Sequence, residues 1–400
     1  MKTIPLFSIA ALLLFSACKQ QAGKNSAEPA DTLSAAPMES LYADPPLVGG
    51  NVTLSDEDFG PLIELEGRHQ LLDEEGPIFK LSESEILFVN GYLLFQNRPG
   101  VGMIQHRNTD GTSTVKPIKS GDGVLSEFFH WYRLPDFRYI VSMGPLGSGP
   151  GEFVFPHLVQ ACKKASGGYL YETTTGKLYS ADTTGVLKQM PVDFKKKKEN
   201  AYSDRQIVVA TPDTLYSVDN IGGGKALFRT LLKGDSTVTE QIYNLSFSKK
   251  HRGWAAYIGD FAMSPSGNRL VYAYKYFRKL VVMDKDARTV RDISFDVEGV
   301  DAKDNVKTLG PDNVTYYWGI SATDAHFFLV YSGRTPLKVG QETNKGDGYI
   351  FVEQYDWGGN PVARYRLNHW GRVFSDGITL YQLCAKYDDP LILYTLPQNK

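Results

Sequence analysis

What this sequence lacks first is an excess of charge of either sign. Its 43 lysines and arginines nearly balance 45 aspartates and glutamates, for a formal net charge of −2. Such a balance leaves no electrostatic footprint for nucleic acid, which is not an expected partner. The one basic run, residues 195–198, reads as a solvated loop. Cysteine is almost as scarce, at three, which excludes a disulfide framework. Cys162 and Cys384 lie in apolar strand patterns far apart in the repeat described below, so both read as buried free thiols. No His-Glu-x-x-His, Cys-x-x-Cys or Gly-x-Ser-x-Gly pattern occurs, and the seven histidines are scattered. No catalytic residue, metal ligand or cofactor site is therefore predicted. Asp182, Asp284 and Asp286 read as turn residues, not as calcium ligands.

The N-terminus, by contrast, carries a clear signal. Lys2 supplies a positive charge, and residues 4–15 supply an apolar stretch too short to span a bilayer as an ordinary helix. Phe15-Ser16-Ala17-Cys18 follows and resembles a lipobox, with small residues for a peptidase pocket and the Cys18 thiol as the lipid attachment atom. Residues 1–17 are predicted to be a lipoprotein signal peptide. Residues 18–50 are predicted to be a flexible tether, with too little apolar periodicity to bury a core. Several acyl chains on one cysteine anchor stably, so membrane contact is expected through the lipid alone. Lys19-Gln20-Gln21-Ala22 lacks the acidic cluster of surface-exported lipoproteins, which favours an outer-membrane anchor facing the periplasm.

Beyond residue 77 short runs of Val, Ile, Tyr and Phe alternate with Gly, Asp, Asn and Pro turns, as in all-β chains. One hairpin recurs, centred near Pro135-Asp136, Asp182-Thr183-Thr184-Gly185, Gly234-Asp235, Asp284-Lys285-Asp286 and Trp357-Gly358-Gly359-Asn360. The first four copies are about 50 residues apart, a propeller-blade period. The next interval is longer, with residues 333–347 as the inserted loop. A sixth copy, residues 391–396, is half a hairpin, because the sequence stops.

Between the first two copies stands Gly144-Pro145-Leu146-Gly147-Ser148-Gly149-Pro150-Gly151-Glu152-Phe153-Val154-Phe155-Pro156. It lacks the Gly-Lys-Ser/Thr ending of a phosphate-binding loop, and no helix pattern follows it as a dinucleotide fingerprint requires. It reads as a junction between two β-units. Gly147, Gly149, Gly151, Glu152, Phe153 and Pro156 match the blade-boundary signature Gly-x-Gly-x-Gly-x-Phe-x-x-Pro. The stretch resembles the corresponding motif of the TolB-like six-bladed β-propeller lipoproteins of Bacteroidetes-type bacteria. That resemblance implies an all-β fold: a six-bladed propeller of four-stranded antiparallel blades, spanning residues 51–400 and monomeric. Glu152 is then expected to brace the loop.

A propeller must close its ring or leave an open edge. The last strand is expected to pair with residues 77–81, joining the N- and C-terminal ends in one blade. Residues 98–127 form an insertion in the first blade or a seventh blade, and the turn just before the glycine run favours insertion. Strand register places Arg252, Trp254, Arg278, Tyr317, Trp318, Arg334, Trp370 and Arg372 in segments emerging on one face, around the channel mouth. Aromatic and arginine side chains are what binding surfaces favour. Arginines gathered there would attract an anionic partner; the alternative is that they pair with nearby acids, such as Asp260, Asp376, Asp388 and Asp389, and brace the loops. The expected function is a non-catalytic binding or scaffold module of the cell envelope for a protein, peptide or glycan. The alternative is a propeller enzyme, a lyase or lactonase, with a channel metal.

Overall fold

The structure, a computed structural model, describes residues 44–73, 76, 85–97, 103–107, 113–117, 127–194, 205–234, 236–249, 251, 253–296, 313–346, 348–384 and 391–397. Cys18, the lipobox and the tether up to residue 43 lie outside the described residues, as do Arg252 and residues 77–81.

How this sequence makes a blade is visible in Arg269–Tyr274, Arg-Leu-Val-Tyr-Ala-Tyr. Successive side chains of a strand point to opposite faces. Leu270, Tyr272 and Tyr274 enter one core, and Val271 and Ala273 enter the next. A strand buried on both faces reads as a continuous apolar run rather than an alternation. Aromatic and β-branched residues suit that pleated, enclosed surface.

Six such sheets follow one another in chain order. The first blade comprises Glu85–Val89, Tyr92–Gln96, Glu127–Arg133 and Arg138–Pro145. The second comprises Pro156–Ala161, Gly168–Glu172, Lys177–Ala181 and Leu187–Asp193. Gln206–Thr211, Thr214–Ile221, Gly224–Lys233 and Ser236–Asn244 make the third, and Gly259–Met263, Arg269–Tyr274, Lys279–Asp284 and Val290–Phe295 the fourth. The fifth holds Thr315–Ala322, His326–Arg334, Ile350–Asp356 and Pro361–Leu367. The sixth holds Arg372–Ser375, Thr379–Leu383 and Leu391–Thr395. Each innermost strand touches that of the next blade, and the sixth touches the first. Apolar clusters fill every wedge between neighbours, from the sixth and first blades round to the fifth and sixth. The molecule is therefore a six-bladed β-propeller.

Two additions leave the ring. Met103–Arg107 and Ser113–Pro117 pair only with each other, as a hairpin between two strands of the first blade. Pro336–Lys345 is a helix between two strands of the fifth. Thr335 caps its start by accepting the Lys338 N–H, and Gly346 ends it in the left-handed conformation.

Closure uses N-terminal strands, but the segment that pairs with Leu391–Thr395 is Arg68–His69, through Ile392 and Leu393. The expectation for residues 77–81 thus gave the pairing to the wrong segment. Two residues are too short to show a strand pattern in sequence, so the next apolar run stood out instead. The same N-terminal stretch also reaches earlier blades. Gly50–Leu54 lies parallel to Val290–Phe295 of the fourth, and Ile63–Leu65 parallel to Tyr365–Leu367 of the fifth. One strap therefore covers the outer edges of three consecutive blades.

Candidate functional site

The glycine run turns the chain from the first blade into the second. Gly144 and Gly151 hold positive φ, of 76° and 77°. The Glu152 carboxylate accepts the Gly149 N–H at 2.7 Å. A Cβ at Gly147 would lie 2.1 Å from that carboxylate, so the brace and the glycine require each other. Phe153 is fully buried, edge-on to Phe129 and Tyr179. Pro156 then opens the innermost strand of the second blade. A second buried carboxylate, Glu172, accepts the N–H groups of Val154, Phe155 and Thr174. The loop is a saturated structural joint.

Asp182 and Asp284 are also occupied with their own turns. Asp182 accepts the Thr184 N–H, and Asp284 accepts those of Asp286, Arg288 and Thr289. Cys162 and Cys384 are both buried and in no disulfide. Burial pushes the Cys162 thiol up to about 12, which disfavours the thiolate, and the thiol donates to the Ser264 carbonyl.

At the ring's centre is a cavity of about 1380 Å³, lined by the innermost strands of all six blades. Near their starts these strands present Glu85, His157, Gln206, Asp260, Trp318 and Arg372 to it. The predicted binding residues divide between this wall and the interior. Tyr317, Trp318, Trp370 and Arg372 line the cavity, whereas Trp254, Arg278 and Arg334 do not. Trp254 begins a short 3-10 turn, Trp254–Tyr257, before the fourth blade.

Arg278 and Arg334 are buried and paired. Arg278 binds Glu353 at 2.9 Å and also Asp56 of the strap, with Phe295 and Tyr331 against its guanidinium. Tyr317, though at the wall, turns its hydroxyl inward to the same Glu353. Arg334 binds Glu342 of the helix and donates to the Tyr349 carbonyl. Arginine in a loop-proximal segment looks alike in sequence whether it faces solvent or a buried carboxylate distant in the chain. The expectation of a strongly positive mouth therefore does not hold for these two.

What Arg334 does is support the aromatic wall. Its guanidinium lies 5.5 Å from the Trp370 ring centroid. Trp370 stands perpendicular to Trp318, with centroids 5.7 Å apart, and the Lys275 ammonium sits 4.5 Å above Trp318. The helix thus backs a tryptophan pair that ends on a lysine in the cavity.

Lys275 and Glu85 were not singled out from sequence, and Asp260 was named only as an acid that could pair with one of the arginines. Glu85 pairs with Arg372 at 3.0 Å. The side chains of Asp260 and Lys275 have no hydrogen bond or ion pair with any described residue, although both residues line the cavity. Loss of water pushes the Asp260 carboxyl up. Lys275 and Arg372 counter that push, and Glu85 adds to it. The same enclosure pushes the Lys275 ammonium down, against the pull of Asp260. Among the described residues no three His, Cys, Asp or Glu side chains gather as a metal-binding group.

No protein-family model matches the chain, and no curated protein sequence matches it. Solved structures do resemble it. A member of the DUF4221 family from Bacteroides vulgatus is 11% identical, with a TM-score of 0.46 over 80% of this chain and 99% of that one. Regucalcin, a calcium-binding protein from Agrobacterium tumefaciens, is 14% identical, with a TM-score of 0.44 over 84% and 95%. A protein described as exported, from Bacteroides fragilis, is 8% identical, with a TM-score of 0.47 over 88% and 100%. The six-bladed fold rests on the strand order itself, and likenesses at this level say nothing of function.

Proposed function

We propose that this protein is a lipid-anchored binding module of the cell envelope that takes its ligand into the mouth of the propeller channel. The observation that carries this reading is convergence. Six strands from separate blades bring charged, aromatic and amide side chains to one end of a single cavity. Trp318 and Trp370 are held there by Arg334 and the inserted helix, so the wall is rigid before a ligand arrives. The lipobox at Cys18 motivates the anchor, and the tether would give the propeller reach from the membrane.

The anchor is tested by fractionating a Cys18→Ala variant, which should leave the membrane fraction or remain unprocessed. The channel is tested by tryptophan emission on titration with separate panels of free peptides, capped peptides and oligosaccharides. A saturable change with one panel that Trp318→Phe removes is the expected result. Saturable changes that persist in both Trp318→Phe and Trp370→Phe would place binding elsewhere on the propeller.

A further inference from the structure

Six charged residues line the cavity, and they are not equivalent: Lys163 pairs with Asp324, and Arg205 with Asp219. Arg372 and Glu85 already satisfy each other across the sixth and first blades at 3.0 Å. Asp260 and Lys275 remain. Asp260 lies on the innermost strand of the fourth blade and Lys275 directly follows the neighbouring strand, where Asp260 pairs in register with Ala273, two residues before Lys275. Residues so placed are diagonal neighbours, within reach of a long side chain. Yet Lys275 lies over the Trp318 ring, and neither group has a hydrogen-bonding partner among the described residues. Buried or enclosed ionisable groups are normally paired, and an unpaired one marks a place where something else completes the pairing.

We propose that the mouth receives a zwitterion, a ligand that presents an ammonium to Asp260 and a carboxylate to Lys275. Free amino acids and short peptides with unblocked ends share this chemistry. The inference rests on the channel reading above and narrows its ligand. A lone anion would meet Lys275 and Arg372 but be repelled by Asp260 and Glu85. A lone cation would meet the reverse. A neutral sugar would leave both unpaired charges without a counter-charge. One face of Trp318 is covered by Lys275 and its ring is abutted by Trp370, which limits the stacking area a sugar would use. The cavity, at about 1380 Å³, is roomier than a single amino acid needs and accommodates a short peptide.

The test is calorimetric titration of the full propeller with a panel of amino acids and of di- and tripeptides. The same peptides are used N-acetylated, C-amidated or both, alongside neutral disaccharides. We expect saturable binding by a zwitterion, weakened tenfold or more by either cap, the scale set by hydrogen bonds to charged groups. Asp260→Asn should abolish discrimination against the N-acetyl form alone, and Lys275→Met discrimination against the amide alone, with melting temperatures monitored to confirm folding. Binding by free amino acids but not peptides, or the reverse, identifies the source. Binding of capped and free forms alike, or of disaccharides only, would overturn the zwitterion while leaving channel binding in place. Silence of every probe, in emission and heat, would overturn both.

Discussion

Two charged clusters lie within a few residues of each other in sequence and behave in opposite ways. Arg278 ends the turn that begins at Lys275, yet the arginine is buried between blades and the lysine faces the channel. Around Arg278 each charged group is bonded to an opposite charge, although the Nε atoms of Arg278 and Arg364 have no hydrogen-bond partner. Glu353, with no exposed surface, accepts Arg278 and the Tyr355 and Tyr317 hydroxyls. Asp56 reaches in from the strap to Arg278 and Arg364, and Phe59 packs beside it against Phe295 and Tyr355. Around Lys275 the charges balance in sign, but only Arg372 and Glu85 bond to each other, and the side chains of Asp260 and Lys275 are left without a hydrogen bond or ion pair among the described residues. The difference teaches where to look for function in a fold that does not dictate one. A cluster in which every charge is ion-paired holds blades together, and one in which two opposite charges are left unbonded is available to a ligand.

If the strap side is purely structural, breaking it should cost stability in proportion to how much it closes. Deleting residues 391–400 removes the strand that joins Thr379–Leu383 to Arg68–His69 and opens the ring. We expect loss of a cooperative melting transition, checked by calorimetry, and a truncated chain that melts like the intact one would show that the strap does not close the ring. Next in size is Glu353→Leu. It strands a buried guanidinium and should destabilise by about 3–5 kcal/mol in denaturant unfolding, the range for breaking one partner of a buried pair. A change below about 1 kcal/mol would mean that Asp56 alone satisfies Arg278.

How much of this was legible in the sequence follows from the same contrast. The outer hairpins were readable because their turns need Asp and Gly. Asp284, for example, collects three N–H groups within five residues, a local requirement written in local residues. The glycine run was readable for the same reason, since Gly147 has no room for a side chain beside Glu152. The strap was not. Its pairings span only five, three and two residues, and two of them are parallel, so no turn announces them. Nor were the roles of the arginines, because Glu353 lies 75 residues from Arg278 in the chain. Trp318, Trp370 and Arg372, which strand register placed near the channel mouth, line the cavity. Asp260 and Lys275 carry no pattern that distinguishes them from ordinary strand-end charges.

The finest test of the comparison is pH, through one carboxylate from each cluster. Burial opposes ionisation of Asp56, but Arg278 and Arg364 outweigh it and hold its carboxyl below the usual range. Its contribution is therefore present above the unfolded value, about 3.9, and is lost as pH falls through the lower folded value. Asp56 is half exposed, so screening limits the effect, and Asp56→Asn should cost about 1 kcal/mol at neutral pH and less in acid. Asp260 runs the other way. Its carboxyl is pushed up by the enclosed wall, so the folded state favours the proton. Its stability is fully present below the unfolded value and is lost as pH rises through the folded one. Asp260→Asn should then be neutral or stabilising at pH 7, by at most about 1 kcal/mol, with the advantage vanishing below pH 4. Melting temperatures of the two variants against the parent, from pH 3 to 8, should diverge in opposite directions as pH rises. If Asp260→Asn instead loses stability in parallel with Asp56→Asn, then Asp260 is paired in the folded protein, and the mouth is a second brace.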